Sequence, residues 1–248
     1  MIKIYKGDAL EVMEKLANDG VKVDAIIADI PFGTTQCKWD VVIPIDKMWE
    51  KINKITYPNT PILIHGAEPF SSIVRLSNLS NYKYDWIWEK TSATNHLNAK
   101  RQPLRAYENI MVFYKKQCTY NPQKTKGLPK KSSKQKLGKT SNVYGANTKE
   151  TSYSSTERYP RDVLKFKKDT QTSSLHDTQK PVALIEYFVK TYTNEGDLVL
   201  DFTIGSGTTM IACINTNRRG IGIEIDDEIF NVAKKRILRH QGKVGLFA

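Results

Sequence analysis

Asp197-Leu198-Val199-Leu200-Asp201-Phe202-Thr203-Ile204-Gly205-Ser206-Gly207-Thr208-Thr209 is the stretch on which the fold turns. It reads as a buried strand over 197–202, a glycine turn, and a helix through Ile211, Ala212 and Ile214. A short apolar run without alternation marks a strand covered on both faces, as in a parallel sheet. Glycines let a backbone approach a ligand closely, and the next helix N-terminus offers unpaired N–H groups. Glu224 closes the following strand, 219–225. An acid about 20 residues beyond such a loop can accept hydrogen bonds from both hydroxyls of a ribose. The dinucleotide fingerprint needs a third glycine where Met210 stands, so a nucleoside without phosphates fits better. A tight turn that binds nothing is the competing reading of this loop taken alone.

Outward from that stretch, strand and helix signals alternate. Residues 2–5 read as a short strand, and Asp8 can cap a helix with Leu10, Val12, Met13 and Leu16 on its apolar face. The run 23–28 is a second buried strand, delivering Asp29-Ile30-Pro31-Phe32-Gly33, and 61–65 is a third. A helix from near Pro69 carries Ile73, Val74 and Leu76, and His65 and Glu68 read as turn residues ahead of it. Aromatic-rich strands at 84–88 and 110–114 pair around a polar connection that holds Lys100, Arg101 and Arg105. Trp86 and Trp88 read as core. Pro181 opens a helix with Val182, Leu184, Ile185, Phe188 and Val189 on one period, and 227–239 is a last amphipathic helix. This is the pattern of an α/β, doubly wound, mostly parallel sheet.

Charge points to the partner. The 248 residues hold 38 Lys and Arg against 26 Asp and Glu, a net +12 with a pI near 9.4. Such an excess attracts polyanions, nucleic acid first. Ten lysines and no acid fall within 115–149, where apolar periodicity disappears, so this stretch reads as a mobile, basic surface insertion. Cys37, Cys118 and Cys213 are odd in number and lack paired spacing, which argues for reduced thiols and against a disulfide framework or a structural zinc site. The chain shows neither an apolar leader nor a span long enough for a membrane, and a cytoplasmic location is expected.

The second chemical signal is Asp29-Ile30-Pro31-Phe32 at a strand's carboxyl end, where open α/β sheets bind ligands. A carboxylate, a stiffened backbone and a ring are what an amine on a flat base requires. Asp29 and a backbone carbonyl can accept its two protons, while Phe32 stacks on the base. Taken alone, the tetrapeptide reads rather as a turn with Asp29 as a cap and Phe32 in the core.

Together the two loops resemble the amino DNA methyltransferases. Their catalytic motif is Asp-Pro-Pro-Tyr, and their cofactor motif Phe-x-Gly-x-Gly is similar to Phe202, Gly205 and Gly207 with one extra residue before the glycines. His176-Asp177-Thr178-Gln179-Lys180-Pro181 resembles the family's His-Pro-Thr-Gln-Lys-Pro, which contacts S-adenosylmethionine. Gly7-Asp8 resembles the acidic position that reaches the cofactor's adenine. The order, catalytic loop before cofactor loop with a basic insertion between them, is that of the beta group. Ile30, Phe32 and Asp177 depart from the motifs.

The resemblance implies a Rossmann-like, circularly permuted methyltransferase domain over 1–90 and 176–248, with a target-recognition insertion over 91–175. It implies Asp29, Ile30, Pro31 and Phe32 at the reacting amine. S-adenosylmethionine would be held by Asp8, Ala9, His176, Thr178, Gln179, Lys180, Asp201, Phe202, Thr203, Gly205, Ser206, Gly207, Thr208, Thr209, Glu224 and Ile225. Lys100, Arg101, Arg105, Lys124, Lys126, Lys130 and Lys131 would contact double-stranded DNA. The implied reaction is direct in-line transfer to N6 of a flipped adenine, with no metal. N4 of cytosine, an RNA substrate and a non-catalytic DNA-binding subunit are the alternatives. A cognate restriction endonuclease, and the choice between monomer and homodimer, are left open. Position 30 is expected to supply only its carbonyl, which would make its side chain replaceable.

Overall fold

The computed structural model describes residues 1–33, 42–138, 140–141, 143, 145–146, 148–167 and 179–245. The chain forms two compact units, residues Met1–Asn121 with Asp162–Ala248, and Pro122–Arg161.

The first unit is built on eight strands. In chain order they and their helices are β1 (Ile2–Lys6), α1 (Ala9–Asn18), β2 (Ala25–Ala28), α2 (Ile45–Ile55), β3 (Ile62–Gly66), α3 (Phe70–Ser77), β4 (Tyr82–Thr94) and β5 (Arg105–Phe113). The second unit contributes β6 (Thr125–Gln135), the two-residue strands β7 (Thr140–Ser141) and β8 (Gly145–Ala146), and β9 (Thr151–Arg158). The first unit resumes with β10 (Val163–Phe166), α4 (Val182–Tyr192), β11 (Leu198–Asp201), α5 (Thr208–Asn215), β12 (Arg219–Glu224) and α6 (Asp227–Gly245). The sheet order is β1-β12-β11-β2-β3-β5-β4-β10, and within it β5 alone runs antiparallel to its neighbours.

Both faces of this sheet are covered, which is why its central strands are apolar throughout. Alternate residues of β2 part company. Ile26 and Ala28 join Met13 and Leu16 of α1, Met48 and Ile52 of α2 and Val74 of α3. Ala25 and Ile27 join Leu184 and Phe188 of α4 and Ala212 of α5. Trp86 and Trp88 lie in that second cluster, as their sequence context predicts. Ile204, Met210 and Ile211 pack on Ala233 and Ile237 of α6. Cys118 and Cys213 are buried free thiols; Cys37 lies outside the described residues. No helix among the described residues is long and apolar enough to cross a membrane.

Several elements differ from the sequence reading. His65 is not a turn residue but an interior position of β3, 1 % exposed. The two aromatic strands are longer than 84–88 and 110–114, running 82–94 and 105–113, because each finds a partner along most of its length. The basic stretch is not without regular structure: β6 and β9 form an antiparallel hairpin. Its residues are exposed or half-buried and none is buried, so backbone pairing, not apolar burial, carries it. The second unit spans 122–161, and β5 and β10 on either side of it are members of the large sheet.

Candidate active site

Parallel neighbours end at the same edge of a sheet, so the topology gathers residues distant in sequence. Asp8 follows β1, Glu224 ends β12, Asp201 ends β11 and Asp29 follows β2. These four carboxylates share the carboxyl edge.

At Asp8 the side chain caps α1, accepting from the Leu10 N–H at 2.8 Å and the Glu11 N–H at 3.1 Å. Ala9 packs into the apolar cluster behind it. In the glycine loop, Gly207 takes φ +84°, a left-handed conformation that favours glycine. Gly205 (φ +51°) would point a Cβ into open space, which leaves a clear approach to its backbone. The Gly205 N–H donates to Glu224 Oε2 at 3.0 Å and the Asp226 N–H to Oε1 at 3.0 Å. Glu224 therefore fixes the loop while each oxygen keeps a lone pair for another donor. Burial raises its carboxyl above the ordinary value.

Asp201 faces inward. It accepts from the Thr203 N–H at 3.1 Å and the Thr209 hydroxyl at 2.6 Å, and burial pushes its carboxyl up to about 7. It shapes the loop. Phe202 is core, so neither it nor Ala9 offers a side chain to a ligand. Ser206 donates to Gln179 Oε1 at 3.2 Å, joining the two cofactor motifs. Thr208 is held by Arg236, whose Nη1 also donates to the Ser206 carbonyl at 3.1 Å. Sequence reasoning misses Arg236, because a helical arginine carries no local sign of its target. Ile225 is 60 % exposed beside Glu224, an apolar surface open to a ligand. Met210 packs where a dinucleotide site has glycine; the room comes from Gly220 on β12, whose added Cβ would stand 2.8 Å from the Met210 sulfur. His176 and Thr178 lie outside the described residues.

The Asp29–Phe32 loop is braced from two sides. The Thr203 hydroxyl donates to the Asp29 carbonyl at 3.2 Å, and Lys180 Nζ pairs with Asp29 Oδ2 at 2.6 Å. Lys180 also reaches Glu108 Oε2 at 3.3 Å, and Lys90 Nζ pairs with Glu108 Oε1 at 2.5 Å. Burial disfavours a charged Lys180, but Asp29 and Glu108 outweigh it and raise its pKa. Burial likewise works against an ionised Glu108, yet Lys180 and Lys90 hold it down at about 2. Ile30 is 3 % exposed, its side chain packed in the core. Half-buried Phe32 stacks on Phe70, centroids 5.0 Å apart and planes at 29°. Pro31 lies between Ile30 and Phe32 in the chain, half-buried.

Lys100 and Arg101 are exposed in the connection between β4 and β5. Because β4 runs parallel to β2 and β3, this connection leaves the sheet at the edge that carries Asp29. Exposed Arg105 begins β5 there. Lys126, Lys130 and Lys131 are exposed on β6 of the second unit. Lys124 is drawn to Glu157 at 3.0 Å and lies over the Tyr159 ring.

A family model described as DNA methylase, of the N6/N4 type, matches residues 23–235. The chain belongs to this DNA methylase family. The methylase is 29% identical over 253 residues to the Type II methyltransferase M.HpaI of Haemophilus parainfluenzae, covering 95% of this chain and 74% of that one. It is 27% identical over 251 residues to the DNA adenine methyltransferase YhdJ of Escherichia coli, covering 94% and 82% of the two chains. Among solved structures, a complex of M1.HpyAVI with SAM matches with a TM-score of 0.67 and 28% identity, over 96% of this chain and 99% of that one.

Proposed function

We propose that this DNA methylase uses S-adenosylmethionine to methylate N6 of adenine in double-stranded DNA, on a base turned out of the helix. The observation that carries the reading is the placement of Asp29. Its carboxylate is anchored at one oxygen, its carbonyl is tied to the glycine loop, and Ile30-Pro31-Phe32 follow at once.

The cofactor suits the residues present. Gly205 leaves open space, Glu224 keeps acceptors for ribose hydroxyls, Ile225 offers an exposed apolar face, and Asp8 follows the adjacent strand β1. When bound, S-adenosylmethionine supplies a sulfonium methyl that is already activated. The chain's task lies with the amine. An adenine amino lone pair is delocalised into the ring and is a poor nucleophile. Asp29 Oδ1 and the Ile30 carbonyl accept its two protons, draw the nitrogen toward tetrahedral geometry and free the lone pair. Holding the partners aligned can be worth about 7–11 kcal/mol of barrier. Turning the base out costs a few kcal/mol, which phosphate contacts from Lys100, Arg101, Arg105 and the lysines of the second unit offset. That unit serves as the target-recognition segment.

Adenine is preferred to cytosine because position 29 is Asp, as in the adenine enzymes that the motif resembles, and because the Escherichia coli relative is named an adenine methyltransferase. Mass spectrometry of nucleosides from duplex DNA treated with wild type and Asp29→Ala tests both points. N6-methyladenine from wild type alone is expected, with cofactor affinity of the variant within a few-fold. N4-methylcytosine would overturn the base, and no methylated base at all would favour a DNA-binding subunit.

A further inference from the structure

Four neighbouring strands place charged or titratable residues on one face of the sheet. Leu63 of β3 pairs with Ile27 of β2 and with Val112 of β5. Two residues nearer the carboxyl edge on the same face, His65 pairs with Ile110, which pairs in turn with Trp86 of β4. Another such step reaches Glu108 opposite Trp88, and then Lys90. Asp29 stands two residues beyond Ile27. Lys180 enters directly ahead of α4, whose Leu184, Ile185 and Phe188 cover this face.

The result is an alternating chain, Asp29–Lys180–Glu108–Lys90, with contacts of 2.6, 3.3 and 2.5 Å. Its two positive and two negative groups balance. His65 lies within their field with no hydrogen-bond partner on its ring, and adds no charge at neutral pH. Lys180 and Lys90 are buried and the Glu108 side chain is 13 % exposed, while Asp29, at the outer end, is 28 % exposed. Burying such a chain is a poor route to stability, since apolar replacements of a whole buried pair are often neutral or stabilising. What it does provide is direction. A lone lysine ammonium is a point charge on a flexible stem. Held by Glu108 as well, Lys180 can meet Asp29 from one side only.

We propose that Glu108 is a positioning residue for methyl transfer, acting through Lys180 to fix Asp29 Oδ2 and leave Oδ1 free for the target amine. This rests on the reading of Asp29 as the amine's acceptor. The test uses the full chain, saturating S-adenosylmethionine and a duplex substrate, with single-turnover transfer measured beside cofactor Kd by calorimetry. Glu108→Gln should slow transfer at least tenfold with Kd within threefold. Because that change strands the buried Lys90 ammonium and takes from Lys180 one of its two carboxylate partners, Lys90→Met/Glu108→Gln, which removes the inner pair together, should show the same split. Lys180→Met/Glu108→Gln should be no slower than Lys180→Met alone. Wild-type transfer in the Lys90→Met/Glu108→Gln variant, a parallel loss of cofactor affinity, or multiplying effects of the Lys180 and Glu108 changes would overturn the proposal. Asp29→Ala separates the two readings: if it still transfers methyl, the role of Asp29 fails; if it is inactive and Glu108 is dispensable, only the role of Glu108 fails.

Discussion

The hydroxyl of Thr203 donates to the backbone carbonyl of Asp29 across 3.2 Å, although 174 positions separate the two residues. This bond clasps the glycine loop to the Asp29–Phe32 loop, so whatever sits in one is registered against the other. Thr203→Val keeps the side-chain shape and removes the donor. A neutral hydrogen bond is worth about 0.5–1.5 kcal/mol, so single-turnover transfer should fall several-fold with little change in Tm. Thr203→Ser should recover most of the rate. An unchanged rate in the valine variant would mean that the loops are aligned by packing alone.

Ile30 separates the work of a backbone from that of a side chain. Its carbonyl is assigned to the amine, yet its side chain fills the core at 3 % exposure. Ile30→Ala should therefore cost about 2–5 kcal/mol in denaturant unfolding, and Ile30→Val about 0.5–1.5. Activity per folded molecule should stay near wild type in the valine variant. A catalytic loss without a stability loss would contradict this division.

His65 makes the fold sensitive to acid. Burial lowers its folded-state pKa from 6.5 to about 4, so between those values the unfolded chain takes up a proton that the folded chain refuses. The His65 contribution is complete above about 6.5 and is lost as pH falls toward 4, at up to about 1.4 kcal/mol per pH unit. Urea unfolding at pH 7 and pH 5 should show a smaller drop for His65→Leu than for wild type. An equal drop in both proteins would assign the acid sensitivity to other groups.

The exposed lysines of β6 should act as phosphate contacts. Each phosphate neutralised adds about −0.9 to the slope of log affinity against log salt. Replacing Lys126, Lys130 and Lys131 by Gln should flatten the measured slope for duplex DNA by about 0.9 for every phosphate that a lysine no longer neutralises. An unaltered slope would remove β6 from the DNA interface.

The sheet was legible where burial left a signature. The runs behind Asp29 and Asp201 are apolar on both faces, and the glycines after Asp201 mark the strand-to-helix turn. Helix α2 carries an equally clear period, Met48, Trp49, Ile52 and Ile55, which the sequence reading passes over. The β6–β9 hairpin left nothing to read, since strands with no buried residue carry no apolar alternation. Asp29 and Lys180 could be named from their motifs. Their shared partner Glu108, with Lys90 behind it, could not, because the meeting depends on the register of β5 against β4, which no local pattern encodes.

The antiparallel course of β5 and the late entry of β10 leave the second unit as a cassette. Asn121, just before it, is moored to α4 and its end through the Thr191 and Thr193 carbonyls at 2.7 and 3.1 Å. Asp162, just after it, accepts from the Ile87 N–H of β4 at 2.7 Å. Every strand of the eight-stranded sheet lies outside 122–161. A replacement hairpin spliced between those moorings would disturb no ladder of that sheet and would leave the carboxylates of Asp8, Asp29, Asp201 and Glu224 in their places. On the proposed assignment of residues 122–161 to target recognition, reading the DNA and methylating the base would be separable by exchange of one continuous stretch of chain.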